Sequence, residues 1–92
     1  MTYYELHVQV SYGDVKKGTV KLFKHEGTEM PEDRNVMDYG GCDYNHFHQT
    51  YEDAVSEYRR EESAWVEQSR YSGKVYMDFN DYVCGTHQSV YN

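Results

Sequence analysis

The sequence predicts an α+β fold in which a small antiparallel sheet of three to four strands carries one long helix on one face. Three observations support this prediction. Apolar residues alternate with polar ones near the N-terminus, recur at three- and four-residue steps in the centre, and alternate again after it. Ninety-two residues suit one domain spanning residues 1–92 and are too few for two.

A β-hairpin is predicted at the N-terminus. Residues 2–12 alternate in polarity along their whole length, as expected for a strand with one buried side. Residues 13–14 offer a turn, and residues 19–25 form the second strand. The predicted inward side chains are Tyr4, Leu6, Val8, Val10, Tyr12, Val20 and Leu22. His7 and His25 are expected to line the polar face of this hairpin.

Residues 26–49 show little regular pattern and are interrupted by glycine and proline. Pro31 could begin a short helical turn that reaches Met37. A segment of this length without regular structure is unusual inside so small a domain. It is therefore either functional or contains an element that hydrophobic periodicity does not detect.

The segment from Thr50 to Tyr71 is predicted to be a long amphipathic helix. Thr50 and Asp53 resemble an N-terminal capping box, and Gly73 suits the position after the last turn. The predicted apolar face consists of Tyr51, Ala54, Val55, Tyr58, Trp65 and Val66. After the helix, residues 74–79 predict a third strand, and residues 80–81 a tight turn into a fourth strand or a terminal segment.

Composition excludes several classes of function. The net charge of −7 opposes direct binding to nucleic acid or to anionic lipid and favours basic partners. The N-terminus lacks the basic and apolar regions of a signal peptide, and no apolar run is long enough to cross a bilayer, so a soluble cytoplasmic protein is expected. No motif with a catalytic mechanism occurs, so we expect neither an enzyme nor a cofactor.

Negative charge is concentrated in the middle of the chain, where residues 26–69 carry twelve acidic and three basic side chains. On the predicted helix, Asp53, Glu57 and Glu61 are spaced four residues apart, an advance of about 6 Å per step. Each strand of duplex DNA presents a phosphate about every 3.4 Å. The carboxylates predicted to imitate phosphates are Glu29, Glu32, Asp33, Asp38, Asp43, Asp53, Glu57, Glu61 and Glu67. The alternative is an ordinary solvated face that keeps the protein soluble.

Two further kinds of site remain open. Tyr39, Tyr44 and Tyr71 lie outside the apolar stripes and are as well suited to contacts with a partner protein as to packing. A zinc site would draw its ligands from cysteine and histidine. The candidate ligands are Cys42, His46, His48 and Cys84. Their spacing is poor because the chain has no C-x-x-C pair. Whether the two cysteines approach one another is also open.

The length, the acidic helix and loop, the tyrosine content and the lack of a catalytic motif together resemble the small acidic inhibitors of host defence encoded by phages. The closest resemblance is to the Arn-type anti-restriction proteins of T-even phages. It implies a DNA mimic made early in infection that blocks the DNA-binding surface of a restriction nuclease, and that also engages the nucleoid protein H-NS. The basic N-terminal hairpin departs from a uniform polyanion. A homodimer is therefore an attractive form, because two-fold symmetry would extend the charged surface.

Overall fold

The computed structural model describes residues 1–86, and it describes side chains as far as Phe79. The elements are β1 (Thr2–Ser11), β2 (Lys16–Glu26), β3 (Arg34–Asp38), β4 (Gly41–His48), α1 (Tyr51–Ser72) and β5 (Val75–Thr86). The strands form one sheet in the order β3-β4-β1-β2-β5. The α+β class is confirmed, but the sheet has five strands and is mixed, because β5 runs parallel to β2 while the other neighbours are antiparallel.

The N-terminal hairpin is confirmed, and its second strand is longer than predicted. β1 and β2 pair without a register shift from Thr2 opposite Glu26 to Ser11 opposite Lys17. Leu6 opposite Leu22 places two fully buried side chains side by side on the face that the helix covers. Cross-strand apolar pairs of this kind stabilise a sheet and fix its register.

Two strands occupy residues 26–49, where an undetected element was one of the two expectations. The helical turn expected from Pro31 to Met37 is wrong, because β3 begins at Arg34 and pairs with β4. β4 in turn pairs with β1, so it is an interior strand of the sheet. Its interior positions include Asn45, which is fully buried, and polar side chains in place of aliphatic ones hid this strand from a search for hydrophobic alternation.

The central helix is confirmed together with both of its end signals. The Thr50 hydroxyl accepts a hydrogen bond from the Asp53 amide at 3.2 Å, and Gly73 adopts a left-handed conformation with φ of 66°. Ala54 and Tyr58 are buried against the sheet, whereas Tyr51 and Val66, predicted on the same apolar face, are each more than 40% exposed. No helix within residues 1–86 is both long and apolar enough to cross a membrane.

The helix carries the chain across the sheet from β4 to β5. β5 pairs with β2 from Val75 opposite Lys16 onward, with two register shifts beyond Val20. The tight turn predicted at residues 80–81 is wrong, because β5 continues as one strand through this point. Parallel neighbours require a long connection, and the helix supplies it.

Candidate functional site

The acidic stripe predicted on the helix does not face outward as a unit. Glu57 turns toward β4, where its two carboxylate oxygens lie 2.5 Å from His46 Nδ1 and 2.5 Å from His48 Nε2. Its side chain is only 15% exposed. His46 is held from its other side, because Asn35 Oδ1 lies 2.7 Å from its Nε2. Glu57 therefore joins the helix to the sheet and is not displayed to a partner.

Glu61 has a similar structural role one helical turn later. It accepts hydrogen bonds from the Tyr44 hydroxyl and, at 3.1 Å, from the Trp65 indole nitrogen. Burial raises the pKa of Tyr44 far above its usual range, and the hydrogen bond to Glu61 raises that pKa further. Tyr44 is therefore a packed neutral phenol between sheet and helix, so of the two roles left open for it the packing role is the one observed.

The outer surface of the helix is balanced in charge. Its exposed charged residues are Glu52, Asp53, Arg59, Arg60, Glu67 and Arg70. Arg70 lies 3.4 Å from Glu67, one of the predicted phosphate mimics. The three arginines interrupt the acidic residues, so this surface does not form the continuous anionic ridge that was predicted.

Three more of the predicted carboxylates hold the chain in place. Asp43 lies on the sheet face opposite the helix, 2.9 Å from His7 Nε2 and 3.4 Å from Arg34 Nη1. Asp38 Oδ1 accepts hydrogen bonds from the two glycine amides of the β3–β4 turn. Asp33 Oδ1 accepts one from the Phe47 amide at 2.8 Å. Asp33 is nevertheless exposed to solvent.

Six carboxylates converge at one end of the sheet, which we call the acidic end. Its members are Glu26, Glu29, Glu32, Asp33, Glu52 and Asp53. The strand register places them together: Thr2 pairs with Glu26, and Tyr4 pairs with His48, just before the helix begins. The Met1 amino group bonds the Gly27 carbonyl at 2.5 Å, which ties the β2–β3 loop to the same end. All six residues are exposed.

The opposite end of the sheet displays tyrosine, and we call it the tyrosine end. Tyr39, Tyr71 and Tyr76 are 104%, 85% and 59% exposed, respectively. Two backbone hydrogen bonds show that their segments lie at this end, from the Tyr12 amide to the Gly40 carbonyl and from the Lys16 amide to the Lys74 carbonyl, each 2.9 Å long. The exposed tyrosines and the acidic residues therefore occupy different ends of the molecule.

A buried polar cluster that was not predicted from the sequence lies on the sheet face opposite the helix. Glu5 is fully buried, with one carboxylate oxygen 2.7 Å from His25 Nε2 and the other accepting from Asn45 Nδ2 at 2.8 Å. Tyr3 stacks on His25 at 5.0 Å and, with Phe47, helps to cover the cluster. His25 is therefore buried instead of lining an open polar face. Alternation alone assigned Glu5 to the solvent side, and no sequence signal contradicts that assignment.

The candidate zinc ligands are only partly brought together. Cys42, His46 and His48 share the helix side of β4, as an extended segment predicts. Both imidazoles, however, contact Glu57, and no group of three or more His, Cys, Asp or Glu side chains in the described part of the chain is placed to hold a metal ion. The side chain of Cys84 lies outside the described residues, as does the question of whether it meets Cys42.

Comparison with known proteins gives no relative from which a site could be transferred. No family model matches the chain, and neither a curated protein nor a solved structure matches it.

Proposed function

We propose that this protein is a noncatalytic inhibitor that occupies the basic, nucleic-acid-binding surface of another protein with its acidic end. The observation that carries the proposal is the convergence of the β2–β3 loop and the helix N-terminus, which brings six exposed carboxylates together. Four of them, Glu29, Glu32, Asp33 and Asp53, belong to the set predicted from the sequence. The contact surface is thus an end of the molecule and not a ridge along the helix.

The local structure favours negative charge at this end. Glu52 and Asp53 occupy the first turn of α1, where the partial positive charge of the helix terminus offsets their mutual repulsion. Glu29 and Glu32 lie on an exposed loop whose two ends are tied to the sheet through Gly27 and Asp33. The backbone segments that carry these carboxylates are therefore positioned before a partner arrives, which lowers the entropic cost of binding.

The resemblance to phage anti-restriction proteins suggests the class of target. A restriction nuclease or a nucleoid protein binds DNA through a basic groove, and a compact group of carboxylates can compete for that groove. The same charge should oppose direct binding of this protein to nucleic acid, because a surface of this charge repels phosphate. Binding should weaken steeply as salt rises, since both partners release counterions on association.

Affinity capture from a host-cell lysate tests the proposal. The immobilised protein is expected to retain basic DNA-binding proteins at low salt and to release them when salt is raised or when duplex DNA is added as competitor. Release by duplex DNA is the decisive part, because a partner bound outside its DNA-binding surface would stay on the column. Mass spectrometry identifies what each step elutes, and the absence of any protein displaced by DNA would contradict the proposal.

A matched pair of variants locates the contact. The first combines E29Q, E32Q and E52Q at the acidic end, and the second combines D14N, E67Q and D78N elsewhere. Both raise the net charge by the same amount, and all six positions are exposed. The first variant should lose most DNA-displaceable binding, by about tenfold or more, and the second should retain it. Equal losses in both would show that net charge and not the acidic end determines binding.

A second candidate function rests on the tyrosine end. Exposed tyrosines are typical of protein contact surfaces, since rigid rings contribute area at little entropic cost. The sequence left a contact role and a packing role equally open for Tyr39 and Tyr71, and both side chains are exposed, as is that of Tyr76. Under this alternative the protein inhibits a defence complex by shape. Replacing these three tyrosines by serine would then abolish capture, while the acidic-end variant would bind normally and with little dependence on salt.

A further inference from the structure

One edge of the sheet is open and unusually regular. β3 is the last strand in the sheet order, and all five of its residues are exposed. Within residues 1–86 no strand pairs with its outer side. Natural edge strands are protected from pairing by short length, charged side chains, a proline, a bulge or an inward-pointing charge, and β3 has the first two of these protections. β3 contains no proline, and its pairing with β4 has no register shift.

The other edge of the sheet is different. The pairing of β5 with β2 shifts register twice, between Val20 and Leu22 and again between Leu22 and Lys24. Irregularities of this kind twist an edge and discourage another strand from adding to it. β3 also displays apolar side chains, because Val36 is 43% and Met37 is 74% exposed. If either edge accepts a further strand, it is therefore the β3 edge.

The sequence of β3 is complementary to itself when two copies run antiparallel. Residues that face each other in an antiparallel pair must have matching hydrogen-bonding positions, so the register can change only in steps of two residues. In the register centred on Val36, all five residues pair, and Arg34 of each copy lies opposite Asp38 of the other. The neighbouring registers pair only three residues and place a charged residue opposite Val36. Charge and length therefore select one register.

The two charged side chains can make these contacts without giving up the ones they already have. Arg34, Val36 and Asp38 lie on the sheet face opposite the helix, where Arg34 Nη1 donates to Asn45 Oδ1 at 3.0 Å. The Arg34 side chain is still 46% exposed and has further N–H donors. Asp38 binds the turn amides through Oδ1 alone, so among the described contacts Oδ2 remains available.

We propose that β3 is a self-association edge, through which two copies of this chain form a symmetric dimer with a continuous ten-stranded sheet. Val36 lies on the two-fold axis, flanked by two Arg34–Asp38 pairs. Because α1 packs over the other four strands and not over β3, the two helices do not meet across this junction. The interface is small, so the dimer is expected to be weak and dependent on concentration. This inference does not depend on the proposed inhibitory function.

A charge exchange between two variants tests this register. The R34E chain places like charges opposite each other in its own dimer, and so does the D38K chain, so each alone should dimerise about tenfold more weakly than the natural protein. In an equimolar mixture, the R34E chain meets the D38K chain with opposite charges at both pairs, and association should return. Sedimentation velocity from about 10 µM to about 1 mM covers the range expected for an interface of this size.

Arg34 and Asp38 also make contacts within one chain, so their replacement could disturb folding. A second pair of variants therefore separates loss of association from loss of folding. V36K places two lysines together on the two-fold axis and should abolish association, whereas the V36T control should retain it. Hydrogen exchange gives an independent readout, because the amides of β3 that point outward should become protected as concentration rises. The proposal is overturned if the natural protein stays monomeric throughout the range, if V36K still dimerises, or if the folded R34E and D38K chains fail to associate when mixed.

Discussion

The buried carboxyl group of Glu5 should contribute more to stability than any exposed acidic residue of the chain. Replacing it by alanine removes the acceptor for two hydrogen bonds, one from His25 Nε2 at 2.7 Å and one from Asn45 Nδ2 at 2.8 Å. Both partners are themselves buried, so water cannot easily replace the carboxylate. The substitution would also leave a cavity in the middle of β1.

These two hydrogen bonds determine how far E5A should lower the free energy of unfolding. Leaving a buried polar group without its partner costs about 1–3 kcal/mol, and two such groups are affected. Breaking one side of a buried pair typically costs about 3–5 kcal/mol in total. We therefore expect E5A to lower the free energy of unfolding by about 3–5 kcal/mol. E5Q keeps the shape and one acceptor, so its loss should be smaller, about 1–3 kcal/mol.

Urea unfolding followed by fluorescence measures these differences. Trp65 is the one tryptophan of the chain, and it is half-buried between helix and sheet, so its emission should change on unfolding. E29A, which removes an exposed carboxylate from the β2–β3 loop, serves as the control and should stay within about 0.5 kcal/mol of the natural protein. A loss below about 1 kcal/mol for E5A would refute the reasoning, because it would mean that the cluster is satisfied without its central acceptor.

Three further predictions concern the ends and joints of the fold. T50A removes the hydroxyl that caps α1 and should cost about 1 kcal/mol in urea unfolding, whereas T50S should cost little. G41A would place a Cβ 2.0 Å from the Val10 carbonyl oxygen at a φ of +149°, so a loss of about 2–5 kcal/mol is expected, against little change for G13A, where the nearest atom is 3.7 Å away. Tyr44 has a raised pKa in the folded state, so its contribution is fully present below the unfolded value of 10.0 and is lost as pH rises above it. The stability of Y44F should therefore fall less steeply than that of the natural protein between pH 10 and about 12, and parallel curves would contradict this assignment.

The helix could be predicted from the sequence because its signals are local. Thr50 and Gly73 mark its ends, and its apolar residues recur at helical spacing, so no knowledge of neighbouring elements was needed. The first hairpin was predictable for the same reason, since its aliphatic side chains alternate. The mixed pairing of the sheet could not be predicted, because the parallel contact between β2 and β5 joins residues that are far apart in the sequence.

β4 and the placement of the helix carboxylates escaped prediction for one common reason. β4 presents Tyr44, His46 and His48 toward the helix, and these side chains bind Glu57 and Glu61. A helical wheel gives the angle of a carboxylate from the apolar stripe, but it does not say what lies beside that stripe. Here a polar strand lies beside it, so residues expected in solvent became part of the contact between helix and sheet.

The position of β5 has a consequence for how the protein forms during synthesis. β2 acquires its second neighbour only when β5 pairs with it, and β5 is made after β3, β4 and α1. Until then the growing polypeptide has an incomplete sheet, and Val75, Met77 and Phe79 are missing from the groove beside Trp65. Closing so long a loop is slow compared with forming a hairpin. Each newly made molecule should therefore pass through a four-stranded stage with exposed apolar surface. That surface favours binding by a chaperone until β5 docks.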